Sequence, residues 1–140
     1  MWRTNPDVKK IVCSSGIAEV AAKLADVNTL RLAGDRVLET IEEGCSLQSY
    51  SGVQGIICGV IICLSPGDHK EPFLPSCPGN GTYIHPELPI AFEAAGGRFL
   101  LIAYCPSDAI VLPDAHELKR QGYFVGDRLQ NDTHPIIFRG

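Results

Sequence analysis

The stretch Val53-Gln54-Gly55-Ile56-Ile57-Cys58-Gly59-Val60-Ile61-Ile62-Cys63-Leu64 decides how this 140-residue chain is read. It is apolar apart from Gln54 and two glycines, and nothing in it alternates with polar residues. It is well short of the ~20 residues a membrane-spanning helix needs. Isoleucine and valine without alternation suit a strand covered on both faces, with layers above and below its sheet. Gly55 and Gly59 predict a bulge or the close approach of another backbone. The expected architecture is α/β (or α+β), a single compact domain over residues 1–140. An N-terminal helical segment leads into a mixed sheet of about 4–5 strands with short helices, and a long Pro/Gly-rich loop occupies 65–86.

Upstream, Ser14-Ser15 can cap a helix whose apolar stripe is Ile17, Val20, Ala21 and Leu24. Asn28 is read as the cap of a second helix, with Leu30, Ala33, Val37, Leu38 and Ile41 on its buried side and Gly44 as terminator. Gly34 weakens that helix by about 1 kcal/mol relative to alanine. A break at Asp26-Val27-Asn28 makes the pair a helical hairpin.

Downstream, Ser65 to Pro86 contains Pro66, Gly67, Pro72, Pro75, Pro78, Gly79 and Gly81, so little regular structure is expected there. Long loops inside compact domains are often functional. A short helix is predicted over Pro89–Ala95, stopped by Gly96-Gly97, and then a buried strand over Arg98–Cys105. A short strand at Ala109–Leu112 and a helix over Pro113–Gln121, ended by Gly122, complete the middle. Tyr123–Val125 and Pro135–Phe138 are edge-strand candidates around a turn at Gln130-Asn131-Asp132.

Composition removes several functions. The chain is 45% hydrophobic and 20% charged, a globular balance. Its net charge of −4 offers no clustered cations for counterion release, so no nucleic-acid partner is expected. No membrane association is expected either. Met1-Trp2-Arg3-Thr4-Asn5-Pro6 has no apolar core of a signal peptide, and a cytoplasmic location is the expectation. The six cysteines are read as reduced thiols, because a chain of this size needs no disulfide scaffold.

Cys13 is the sharpest candidate for chemistry. It precedes a predicted helix start, where unpaired amides and the helix dipole favour a thiolate. A thiol-dependent hydrolase or transferase would use it as nucleophile, with His85 as base, or His69 in its place. Glu87 or Asp108 would orient the imidazole. Cys13-Ser14-Ser15-Gly16-Ile17 is similar to the nucleophile segment of the NlpC/P60 cysteine peptidases, and Gly79-Asn80-Gly81-Thr82-Tyr83-Ile84-His85 to a later strand of that family. The resemblance covers about a dozen residues and implies a cysteine peptidase. An extra serine interrupts the first segment, Val12 stands where that family has Asp, and only His69 falls where its histidine belongs. Cys105-Pro106-Ser107-Asp108-Ala109 resembles the end of the JAMM metalloprotease motif, without the paired histidines that should precede it.

Cys63, His69, Cys77 and His85 could supply a tetrahedral zinc, although no tight Cys-x2-Cys or His-x3-His pair marks such a site. No cofactor or metal is assigned. The substrate, a small molecule or a protein, is left open. The alternative to an enzyme is an interaction or assembly protein whose contact surface is the 65–86 loop and the C-terminal strand. That strand, Pro135-Ile136-Ile137-Phe138, could extend the sheet of a second copy or of a protein partner.

Overall fold

A computed structural model of the chain describes residues 5–38, 40–41, 46–48, 52–67, 74–87, 92–93 and 97–140. Two helices come first, α1 (Pro6–Val12) and α2 (Ser15–Ala25). The strands β1 (Thr29–Leu38), β2 (Thr40–Ile41), β3 (Cys58–Ser65), β4 (Gly81–Ile84), β5 (Phe92–Glu93) and β6 (Arg98–Cys105) follow. A one-turn helix α3 (His116–Arg120) and the last strand β7 (Ile136–Arg139) end the chain. Five strands form one sheet in the order β4-β3-β6-β1-β7, and β2 pairs with β5.

The protein is thus an α+β structure with an N-terminal helical segment and a five-stranded sheet. The expected mixed sheet is corrected, because all its pairings are antiparallel. The predicted second helix is also overturned, since residues 29–38 are β1. The reason is a bulge. The β1–β6 register slips between Leu32 and Gly34, which reverses the two-residue alternation. Leu30, Leu32 and Val37 therefore reach one face of the sheet, and Ala33 and Leu38 the other. A strand that changes phase in mid-course places its apolar residues at intervals that imitate a helix.

The starts of α1 and α2 are capped by side chains. Asn5 accepts from the backbone N–H groups of Asp7 and Val8 at 3.0 and 3.2 Å, with Pro6 at the first helical position. Ser14 accepts from Ile17 N–H at 3.4 Å. The buried face of α2 is Ala18, Ala21 and Ala22, whereas Val20 and Leu24 are 45% and 68% exposed. The predicted stripe is out of phase by one position, because small side chains, not large ones, let this helix lie close on the sheet.

The core lies on both faces of β6 and its neighbours. Toward α2, Leu30, Leu32, Cys58, Val60, Ile62, Leu100, Ile102 and Tyr104 pack with Val12 and the α2 alanines. On the other face Ile61, Cys63, Phe99, Leu101, Ala103 and Cys105 pack with Leu47, Val53, Ile56, Leu74, Val111, Leu118, Tyr123 and Leu129 from the connecting segments. The strand predicted over Val53–Leu64 begins only at Cys58: Val53 makes an isolated bridge to Val111, and Gly55 turns at φ 71°.

Other expectations change in detail. Within 65–86, residues 81–84 are a strand, while 68–73 lie outside the described residues. Residues 92–93 of the predicted 89–95 helix are extended, and 88–91 and 94–96 lie outside the described residues, as does Gly44. The helix predicted over 113–121 shrinks to α3, ahead of Gly122 at φ 95°. Residues 109–112 hold only isolated bridges, and 123–125 are a turn region, not a strand. The remaining edge-strand prediction corresponds to β7.

Gly59 marks the tightest approach in β3. A Cβ there would lie 2.6 Å from Leu47 Cδ2 and 2.8 Å from Ile102 O, a backbone atom that cannot swing aside. At Gly34 the same atom meets nothing within 4 Å. Gly59→Ala is expected to lower the urea unfolding free energy by about 1–3 kcal/mol, and Gly34→Ala to cause no loss. Equal effects of the two would contradict the packing described.

Candidate functional site

Cys13 is the C-cap of α1, and its backbone N–H bonds Lys9 O at 2.9 Å. Ile11 and Val12 are the last turn of that helix. The thiol therefore adjoins the carbonyl end of one helix as well as the amide end of the next, and the two dipoles oppose each other. Its side chain packs against the α2-side core. Burial pushes the Cys13 thiol above its ordinary value, with Lys9 pulling it down and Asp35 pushing it further up. The expected depression of this thiol is thus reversed, since loss of hydration outweighs the amides beside it.

The expected partners of Cys13 lie elsewhere. His85 follows β4 and lines a cleft with Ala21, Leu24 and Ala25, from the second half of α2. Cys13 precedes the first turn of that helix, which at eleven residues is about 16 Å long. The structure does not bring these two together. His85 is exposed, and its Nδ1 accepts from Glu87 N–H at 3.2 Å. A neutral ring in that arrangement carries its proton on Nε2 and has no free lone pair for a thiol proton. Glu87 thus contributes its backbone amide, not its carboxylate. Asp108 is exposed in the turn after β6; burial raises the Cys105 thiol beside it, with Arg31 pulling it down and Asp108 adding a smaller upward push. His69 lies outside the described residues.

The zinc quartet is also divided. Cys63 pairs with the Asn80 end of β4 through Cys63 N–H to Asn80 O at 2.9 Å. His85 lies beyond Ile84, which pairs with Gly59 at the opposite end. Four or five strand residues at ~3.3 Å each separate the two, too far for one ion. Among the described residues no three His, Cys, Asp or Glu side chains converge as metal ligands.

The arrangement that does converge is the cleft itself, lined by Ala21, Leu24, Ala25, Ile57, Cys58, Tyr83, Ile84 and His85, with a volume of about 210 Å³. It exists because the alanines hold α2 close over β3 while the sheet ends at β4 on that side. Tyr83 Oη donates to Ile17 O at 3.1 Å and fixes the strand edge to the helix. Cys58 Sγ makes a long contact of 3.9 Å to Ala21 O, and burial pushes its thiol up to about 11. The floor is therefore neutral at physiological pH, and His85, whose neutral ring carries its proton on Nε2, is a polar residue of the lining. Sequence reasoning named His85 but missed Cys58, Tyr83 and the alanine face. The spacing of Ala18, Ala21, Ala22 and Ala25 was the available signal.

No family model and no curated protein sequence matches the chain. Among solved structures it is similar to the non-heme alpha ketoglutarate dependent carbocyclase SnoK from nogalamycin biosynthesis. The TM-score is 0.75 at 13% identity, covering 96% of this chain and 73% of that one. The likeness establishes a shared fold. Non-heme iron of this kind is commonly held by two histidines and a carboxylate, and among the described residues no three such side chains assemble that set. His134 is buried, with Nδ1 against Thr133 Oγ1 at 2.9 Å and Tyr123 Oη at 3.1 Å. His85 is joined to the Glu87 amide.

Because the neutral form of Cys13 is favoured, its alkylation rate is expected to rise with pH through an inflection above the ordinary thiol value of 9.0. At pH 7.5 the exposed Cys77 should react with iodoacetamide ahead of Cys13. Selective labelling of Cys13 at neutral pH would restore it as a nucleophile.

Proposed function

We propose that the chain is a small-molecule-binding domain whose site is the cleft between α2 and the β3–β4 edge. Its ligand is compact and mostly apolar, with a hydrogen-bond acceptor at one end. The observation that carries this reading is a mostly apolar cleft whose lining includes one imidazole, His85, held by the Glu87 amide. Mostly apolar concave sites with few placed polar groups are where small ligands bind. A volume of about 210 Å³ is room for a single ring or a short chain. Against the thiol-hydrolase reading of Cys13 stand its raised thiol and its distance from His85.

A second reading is favoured by the breadth of the likeness to the carbocyclase, namely an enzyme dependent on metal and α-ketoglutarate. Its ligands would have to include residues outside the described set, such as His69.

Phenol, benzoate and hexanoate titrated into ¹⁵N-labelled protein are expected to shift the amides of Ala21, Ala25, Ile57, Cys58 and His85 with about millimolar affinity. His85→Ala should weaken benzoate by about threefold to tenfold, the loss of one net hydrogen bond of about 0.5–1.5 kcal/mol. Ala25→Phe should abolish binding by filling the cleft. Shifts located elsewhere, or unchanged by Ala25→Phe, would refute the cleft. Stoichiometric Fe(II) binding that depends on α-ketoglutarate and is lost in His69→Ala would favour the second reading.

A further inference from the structure

Two cysteines, Cys63 and Cys77, lie at the end of the β3–β4 hairpin opposite the cleft. Cys77-Pro78-Gly79-Asn80 is a tight turn, closed by Asn80 N–H to Cys77 O at 3.1 Å, with Gly79 at φ 86°. Proline second and a positive-φ glycine third are the type II pattern, which brings the first and fourth Cα atoms within about 7 Å. The fourth residue, Asn80, is the one that bonds Cys63, and Gly79 N–H returns to Cys63 O at 2.8 Å. Three residues before Cys77, Leu74 is buried in the same core layer as the Cys63 side chain. The turn and this anchor fold the 74–77 segment onto the face from which the Cys63 sulfur projects. Cys77 is exposed, whereas Cys63 is 1% exposed.

We propose that Cys63 and Cys77 are a redox pair, which closes to a disulfide across the β3–β4 connection when the protein meets a low-molecular-weight disulfide such as glutathione disulfide. The Cys77 thiol gives up its proton and its sulfur attacks one glutathione sulfur. That S–S bond breaks, and the departing glutathione takes up a proton. The Cys63 thiol then loses its proton to solvent, and its sulfur attacks the Cys77 sulfur of the mixed disulfide. The second glutathione leaves as a thiol. Two protein thiols are oxidised and one glutathione disulfide is reduced to two glutathiones. The order follows from exposure, since only Cys77 can meet the reagent. Burial, and the proximity of Cys77, both raise the Cys63 thiol, so closure is the slow step.

The pair is separate from the cleft, and its failure leaves the ligand reading untouched. The test is mass spectrometry of the full chain during incubation with glutathione disulfide. Wild type is expected to gain one glutathione transiently, then to lose it and finish two hydrogens lighter, with Cys63 and Cys77 in linked peptides. Cys63→Ala should keep its glutathione on Cys77, and Cys77→Ser, in an exposed turn, should leave Cys63 reduced. A stable glutathione adduct on wild type would overturn the proposal. So would a Cys77 linkage to another cysteine in wild type, or Cys63 oxidation that persists in Cys77→Ser.

Discussion

The structure depends on one constraint: β6 is buried on both faces. From Phe99 to Cys105 every residue is buried, and Phe99, Leu100, Ile102, Tyr104 and Cys105 are wholly so. Each large apolar side chain enclosed in this way contributes roughly 1.5–3 kcal/mol, but only while a layer covers it. One face therefore requires α2, and the other requires the connecting segments that carry Leu47, Val53, Val111, Leu118 and Leu129. Their irregular backbone is acceptable there because side chains and strand ends satisfy it. Gln48, for example, donates to Val53 O at 2.7 Å and accepts from Ile56 N–H at 2.8 Å.

Polar staples hold the far end of the sheet. Arg31 is buried at 7% exposure and donates to Ser107 O at 3.2 Å, Asn131 Oδ1 at 2.8 Å and His134 O at 2.8 Å. All three acceptors are neutral, so among the described residues the guanidinium is held by hydrogen-bond geometry. It joins β1 to the turn after β6 and to the approach to β7. Tyr123 Oη accepts from Gln130 N–H at 2.9 Å and contacts His134, closing the same corner. By contrast the Tyr104 hydroxyl is buried with no hydrogen-bond partner among the described residues, and its titration is driven far up by burial. That desolvated phenol lies under α2, where the helix must stay close for the cleft to keep its shape.

How much of this was legible in the sequence depends on whether the signal was local. The unbroken apolar run of β6 gave its bounds directly, and Ser14 announced the start of α2. Asn5-Pro6-Asp7 carries an equally local signal for α1, a capping Asn followed by Pro at the first helical position. The bulge in β1 could not be read, because reversing alternation at Leu32–Gly34 yields the same spacing as a helix, and only pairing with β6 distinguishes them. The site was harder. Cys13 was judged from its position before α2, without the opposing end of α1 or the desolvation that tertiary packing imposes. His85 was singled out as a base, yet its role is set by the Glu87 amide two residues on, a contact that spacing alone does not reveal.

Native-state hydrogen exchange of the β6 amides tests the central claim most directly. If β6 is the strand on which both layers rest, the amides of Leu100 to Tyr104 exchange only through global unfolding, with the same free energy and urea dependence as whole-molecule denaturation. Exchange of these amides through small, urea-insensitive openings, as readily as those of the edge strand β4, would contradict the account.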